Sequence, residues 1–247
     1  MHHTETKLVL LIVMFFLLQV QFCFAGAPFF TDDPEPTELK HFEFYFSSSH
    51  AFEKNETAGN LFNFEVNYGL IPNMQIHLLL PINYSTATHE PFKIGYANTE
   101  IGVKYRFIQE TENCPQLATY PALSIPTVKN ETFSDGTVKF YLPLWAQKSW
   151  GKFTTYGGGG YWFNPGSGNK NFFFSGWEAQ YDLSERLMLG GEIYYQSADV
   201  VDGESALAFN LGGNISFSEK THLLFSAGHS LANENFATAF ISFLWTP

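Results

Sequence analysis

Residues Gly26–Phe46 read GAPFFTDDPEPTELKHFEFYF. A short acidic, proline-bearing run gives way to Phe42, Phe44 and Phe46 at every second position, with His41, Glu43 and Tyr45 between them. Successive side chains of a strand point to opposite faces, so this period of two predicts a strand with one greasy face and one polar face. The prolines and acids ahead of it predict an extended lead-in.

The same alternation recurs to the end of the chain. LFNFEVNYG sets Phe62, Phe64, Val66 and Tyr68 against Asn63, Glu65 and Asn67. EIGVKYRF sets Ile101, Val103, Tyr105 and Phe107 against Glu100, Lys104 and Arg106. In TVKFYLPLWAQ the polar face carries Lys139 and Tyr141, and in SGWEAQYD and LMLGGEIYYQ it carries Glu178, Glu192 and Tyr194. Twelve strands are expected, at 41–50, 59–69, 73–83, 97–109, 116–127, 135–148, 152–161, 171–182, 187–198, 204–216, 221–230 and 235–245. Each is close to or above the 9–11 residues that a tilted strand needs to cross a bilayer. Connections after even-numbered strands are mostly tight, as in GLIPN, KSWGK, DLSER and FSEKT, whereas YSTATHEPFKIGY and NPGSGNKN are longer. That asymmetry is the habit of an outer-membrane barrel. The facing of strand 152–161, with its GGGG run, stays unassigned.

Composition agrees. The 247 residues include 27 Phe and 20 Gly, with 18% aromatic and only 15% charged residues. Soluble domains usually carry about 25% charged residues. Before Gly26, Lys7 is followed by LVLLIVMFFLL. This apolar stretch is too short for a spanning helix but suits a leader cut after Ala25. The expected organisation is a signal peptide at 1–25, an acidic lead-in at 26–40 tucked into the periplasmic mouth, and a barrel at 41–247. Removal of the leader leaves Cys114 as the one cysteine, which excludes a disulfide framework. A net charge of −11 argues against a nucleic-acid partner, which needs a basic patch to neutralise phosphates.

A soluble β-sandwich also alternates. Its strands are usually nearer 5–6 residues, and its solvent face carries many Lys, Asp and Glu. Here the polar face is mainly Asn, Gln, Ser, Gly and Tyr. The fold class expected is therefore all-β, an up-and-down antiparallel transmembrane barrel. An even strand count puts both termini on the periplasmic side.

Inward charges are then expected at Glu43, Glu65, Glu100, Lys104, Arg106, Lys139, Glu178 and Glu192. They are either a salt-bridge network that props the barrel or a charge-selective constriction. Inward aromatics are expected at Tyr45, Tyr141, Trp145, Phe172, Phe174, Tyr194 and Phe240, as ordinary packing or as a path for apolar solutes. Asp32, Asp33 and Glu35 are a cation site or, by preference, part of the extended lead-in. His41, His77 and His222 project inward without metal-ligand spacing. His229 faces lipid, where a hydrolase would use it, but no serine lies in a nucleophile context. No catalytic, cofactor or metal-binding set is expected.

The opening stretch resembles the amino-terminal signature of the outer-membrane transporters grouped as "MetA-pathway of phenol degradation". The matching residues are Pro28, Thr31–Pro36 and His41–Tyr45, and GWEAQYDLSERLMLGGEIYYQS resembles a late strand–turn–strand of that family. The resemblance implies a Gram-negative outer-membrane location and passive uptake of small hydrophobic or aromatic compounds. The partners expected are outer-membrane lipid and lipopolysaccharide, the barrel-assembly machinery and a small hydrophobic solute. Many such barrels end on an aromatic residue, whereas here Trp245 is followed by Thr246 and Pro247. Two other readings stand beside it: a structural or adhesive barrel with a packed lumen, and an outer-membrane lipid hydrolase.

Overall fold

The computed structural model describes residues 28–127 and 132–247; the leader and its cleavage site lie outside them. Fourteen antiparallel segments follow in order: β1 (Phe42–Glu53), β2 (Glu56–Ile71), β3 (Met74–Ala87), β4 (Lys93–Tyr96), β5 (Thr99–Ile108), β6 (Gln116–Thr119) and β7 (Ala122–Ile125). Then come β8 (Lys139–Trp150), β9 (Phe153–Phe163), β10 (Phe172–Ser184), β11 (Leu187–Gln196), β12 (Ala206–Ser218), β13 (Thr221–Asn233) and β14 (Phe236–Trp245). β4 and β5 both pair with β3, and β6 and β7 both pair with β5 and β8, so each couple is one broken stave. β1 pairs with β14, from Phe44↔Trp245 to Glu53↔Phe236, and closes a twelve-stave barrel. Closure gives every stave two neighbours, although the short β4 forms a ladder with β3 alone; such closure is what hydrocarbon surroundings demand of backbone hydrogen bonds.

One expected strand, 116–127, is interrupted at Tyr120 and Pro121. Proline has no N–H for the ladder. The break also turns the Tyr120 ring inward, 3% exposed, over Gly102, where a Cβ would lie 2.7 Å from that ring.

The alternation separates the two faces as expected. Phe42, Phe46, Phe62, Leu144, Trp177 and Phe243 are exposed on the outside, while Ser47, Asn63, Asn67, Asn210 and Ser242 are buried inside. On the outer wall Phe44 stacks on Trp245 at 5.4 Å and on Phe64 at 6.3 Å, binding the first, second and last staves. Aromatic cross-strand pairs of this kind add about 0.2–1 kcal/mol each.

At the end where β1 begins, turns are tight except for the 109–115 connection between β5 and β6. Asn73 and Gly151 take left-handed φ values of 64° and 63° there, a region that asparagine and glycine tolerate best. The opposite end carries the longer connections 88–92, 126–138, 164–171 and 197–205.

Strand β9 now has a facing. Tyr156 and Trp162 are buried inside, and Tyr161 and Phe163 are exposed outside. Gly158 and Gly160 therefore face inward beneath two large rings. A Cβ on Gly158 would lie 2.1 Å from the Leu144 carbonyl oxygen, and one on Gly160 would lie 2.5 Å from the Tyr141 ring. The glycines leave the hollow that the Trp145 and Tyr141 rings occupy.

Candidate functional site

The lead-in runs inside the barrel, further than the mouth at which the sequence reading put it. Leu39 bridges Gly69 at the end of β2, and from there the chain climbs backward into the lumen. The Thr37 N–H donates to Gln75 Oε1 at 2.6 Å. Arg106 Nη1 pairs with Glu35 and also donates to Gln116. Lys104 Nζ donates to Asp32 at 2.9 Å and lies 3.7 Å from Asp33. Further in, the Phe30 N–H, the Thr31 N–H and the Thr31 hydroxyl all donate to the Glu192 carboxylate, at 2.8, 2.8 and 2.7 Å. The Ser226 hydroxyl donates to the Pro28 carbonyl at 2.6 Å.

Local sequence makes room for this. Thr31 sits over Gly176, where a Cβ would lie 2.0 Å from Thr31 Oγ1. Phe29, Thr31, Asp32 and Pro34 are each under 2% exposed or close to it, so the segment fills the lumen at this level. The Asp32–Lys104 pair is buried on both sides, with side-chain exposures of 1% and 7%. Removing one partner of such a pair typically costs about 3–5 kcal/mol. Asp32, Asp33 and Glu35 thus face cations of the wall, and among the described residues no group of three His, Cys, Asp or Glu could hold a metal ion.

The expected inward charges fall into distinct surroundings. Lys104, Arg106 and Glu192 hold the lead-in. Glu65 and Glu100 flank the buried His77 at 3.5 Å each, and Asn67 lies 2.8 Å from His77 Nδ1. Glu43 accepts a hydrogen bond from Tyr45 at 3.2 Å. Lys139 pairs with Asp135 at 3.0 Å, in the 126–138 connection. Burial pushes the Asp135 carboxyl up, but hydrogen bonds from Thr137 and Asn169, with Lys139 beside it, hold it down to about 2. Glu178 is different: it is fully buried, and neither carboxylate oxygen has a hydrogen-bond partner among the described residues. Its cross-strand neighbour is Glu192.

Five of the seven expected aromatics gather in one cluster. Tyr141 stacks on Trp162 at 4.7 Å and Trp162 on Phe172 at 5.9 Å. Trp145 meets Phe174 at 6.4 Å, Phe174 meets Tyr194 at 6.0 Å, and Tyr194 meets Phe30 of the lead-in at 4.9 Å. Tyr45 stands apart beside Glu43. Phe240 lines a separate small cavity with Pro28, Phe29 and Phe30. The imidazoles divide too. His77 is buried inside, while His222 is half-buried beside Ser216 at 2.9 Å. His41 precedes β1 and is exposed, with its ring on the Leu39 carbonyl, so it does not project inward. His229 is exposed on the outer wall.

Sequence reasoning missed Trp162, Tyr156, Gln75, Asn210 and the two phenylalanines of the lead-in. Trp162 and Tyr156 lay on the strand whose facing the GGGG run obscured. Gln75 and Asn210 sat in plain view on polar faces. Their partners came from a segment that no periodicity describes.

Several solved structures are similar to this chain. The COG4313 outer membrane channel from Pseudomonas putida F1 matches with a TM-score of 0.71 at 15% identity, over 87% of this chain and 98% of that one. The NanC porin matches with a TM-score of 0.57 at 8% identity, over 82% and 98%. The CymD monoaromatic hydrocarbon channel matches with a TM-score of 0.50 at 6% identity, over 85% and 88%. At these identities the likeness is one of fold, that of outer-membrane β-barrels. No protein-family model matches the chain, and no curated protein does.

Proposed function

We propose that this chain is an outer-membrane channel of a Gram-negative bacterium for small hydrophobic or aromatic solutes, with its own lead-in as an internal stopper. The observation that carries the reading is the lumen itself: a run of stacked rings on the wall, continued by Phe30 of a segment whose backbone and acids are tied to the wall by hydrogen bonds and ion pairs. A water-filled pore does not favour such rings, whereas apolar solutes do. The likeness in fold to a monoaromatic hydrocarbon channel supports the solute class. The resemblance of Pro28, Thr31–Pro36 and His41–Tyr45 to the phenol-degradation transporters supports it as well. In this reading the leader is removed, the end with tight turns faces the periplasm, lipid and lipopolysaccharide surround the barrel, and the assembly machinery inserts it.

The rival reading, a structural barrel with a packed lumen, draws on the burial of Asp32 and Lys104. Swelling of vesicles containing the refolded protein separates the two. Passage of small aromatic solutes that rises on deletion of residues 28–37 supports the channel. Equal impermeability with and without the segment, in protein shown to be inserted, refutes it.

A further inference from the structure

Near the end that bears the long connections, a cavity of about 30 Å3 lies between the aromatic cluster and the rim. Its apolar wall is Phe30, Trp162, Phe174, Tyr194 and Phe236. Its rim carries the carboxylates of Asp199 and Glu204, from the connection between β11 and β12, and of Glu234, from the turn between β13 and β14. None of these three is in an ion pair among the described residues; Lys139, which acts on Asp199 from a distance, is itself paired with Asp135.

We propose that this cavity is a binding site for a protonated arylalkylamine, the ring held among the aromatics and the ammonium held at the three carboxylates. The inference rests on the reading of the lumen as a solute path, because the inner wall of the site is Phe30 of the lead-in. As closed, the cavity has room for about two waters. A ring enters by displacing Phe30.

Three observations converge on this class of ligand. The wall rings Phe30, Trp162, Phe174, Tyr194 and Phe236 take an aromatic ring in offset or edge-to-face contact. The rim acids crowd one another: burial, then Glu53, Asp199 and Glu204, push Glu234 up to about 7, and burial pushes Asp199 up as well. A cation seated there relieves that repulsion, whereas a neutral hydrocarbon does nothing for it and an anion worsens it. Independently, the Tyr194 hydroxyl and the Trp162 indole N–H have no hydrogen-bond partner among the described residues, and each side chain is 5% exposed. Buried polar groups are normally satisfied. Both side chains line the cavity, and with Phe30 displaced the hydroxyl and the N–H reach a polar atom on the ligand's body.

Tyramine and 4-ethylphenol share that body and differ by the ammonium alone, so calorimetry of both against the purified full chain in detergent is the test. Tyramine is expected to bind about tenfold tighter or more. The variant Asp199→Asn/Glu204→Gln/Glu234→Gln, on rim connections outside the strands, is expected to erase the difference. Tyr194→Phe is expected to weaken both ligands while leaving their ratio intact. Equal affinities in the wild type, no binding of tyramine, or an unchanged preference in the triple variant overturns the proposal. Vesicle passage of 4-ethylphenol is scored separately. If it passes and tyramine shows no preference, the amine site alone falls. If tyramine binds and neither solute passes, the solute path falls.

Discussion

Removing the carboxylate of Glu192 strips the lead-in of three hydrogen bonds and the wall of one. Three donors of the lead-in, the Phe30 and Thr31 N–H groups and the Thr31 hydroxyl, converge on it, and Asn210 steadies it at 2.7 Å. Hydrogen bonds to a charged acceptor contribute about 1.5–3 kcal/mol each. Their sum overstates the effect, because an undocked segment regains water at all three donors. About 3 kcal/mol is a defensible net figure, roughly a hundredfold in the docking equilibrium. Glu192→Ala is therefore expected to raise the fraction of time in a conducting state by up to about a hundredfold. Glu192→Gln, which keeps one acceptor, is expected to fall between it and the wild type. Single-channel recording in planar bilayers reads this directly. Glu178→Gln is the control, since that cross-strand neighbour has no hydrogen bond to the lead-in. Unaltered gating in Glu192→Ala, or equal gating in the control, refutes the reasoning.

The remaining predictions concern the wall and the rim. Lys104→Met leaves Asp32 buried without its cation and is expected to cost about 3–5 kcal/mol, read as earlier loss of the heat-modifiable folded band in urea; adding Asp32→Asn restores part of it. Gly158→Ala is expected to destabilise the barrel by about 1–3 kcal/mol through overpacking against Leu144 and Trp145, and an unchanged urea midpoint contradicts that account. Glu234 is held up to about 7, so its contribution to folding is fully present below the ordinary carboxylate range and is lost as pH rises through about 7. Amides of the turn between β13 and β14 are expected to be less protected at pH 8 than at pH 5.5 after intrinsic correction, and Glu234→Gln is expected to remove the difference. The acids that face Glu234 are Glu53, Asp199 and Glu204.

The barrel wall was legible because a period of two is dictated by strand geometry alone. Glu100, Lys104, Glu178 and Tyr194 could be put inside by counting, and they lie there. Where the count lost its anchor, legibility failed. Four consecutive glycines in β9 carry no side chains to alternate, so Tyr156 and Trp162 had no readable face. Pro121 cut a stave that hydropathy ran straight through. The lead-in was legible as extended, from its prolines, but not in its depth. Its partners, Gln75, Lys104, Glu192 and Ser226, come from four different segments. No local pattern announces contacts made across about 40 to 200 residues of separation. The carboxylates of the rim were invisible for the same reason, since Asp199, Glu204 and Glu234 meet only when the barrel closes.

A reversible lock on the lead-in tests the central claim most directly. Thr31→Cys with Gly176→Cys, in a Cys114→Ser background, puts two thiols where the Thr31 Cβ and a Cβ on Gly176 lie 3.1 Å apart. That spacing is near the range a disulfide spans. Passage of an aromatic solute into vesicles is then followed in the oxidised and reduced protein. If displacement of residues 28–37 opens the path, oxidation abolishes passage and reduction restores it. Equal passage in both states contradicts the account.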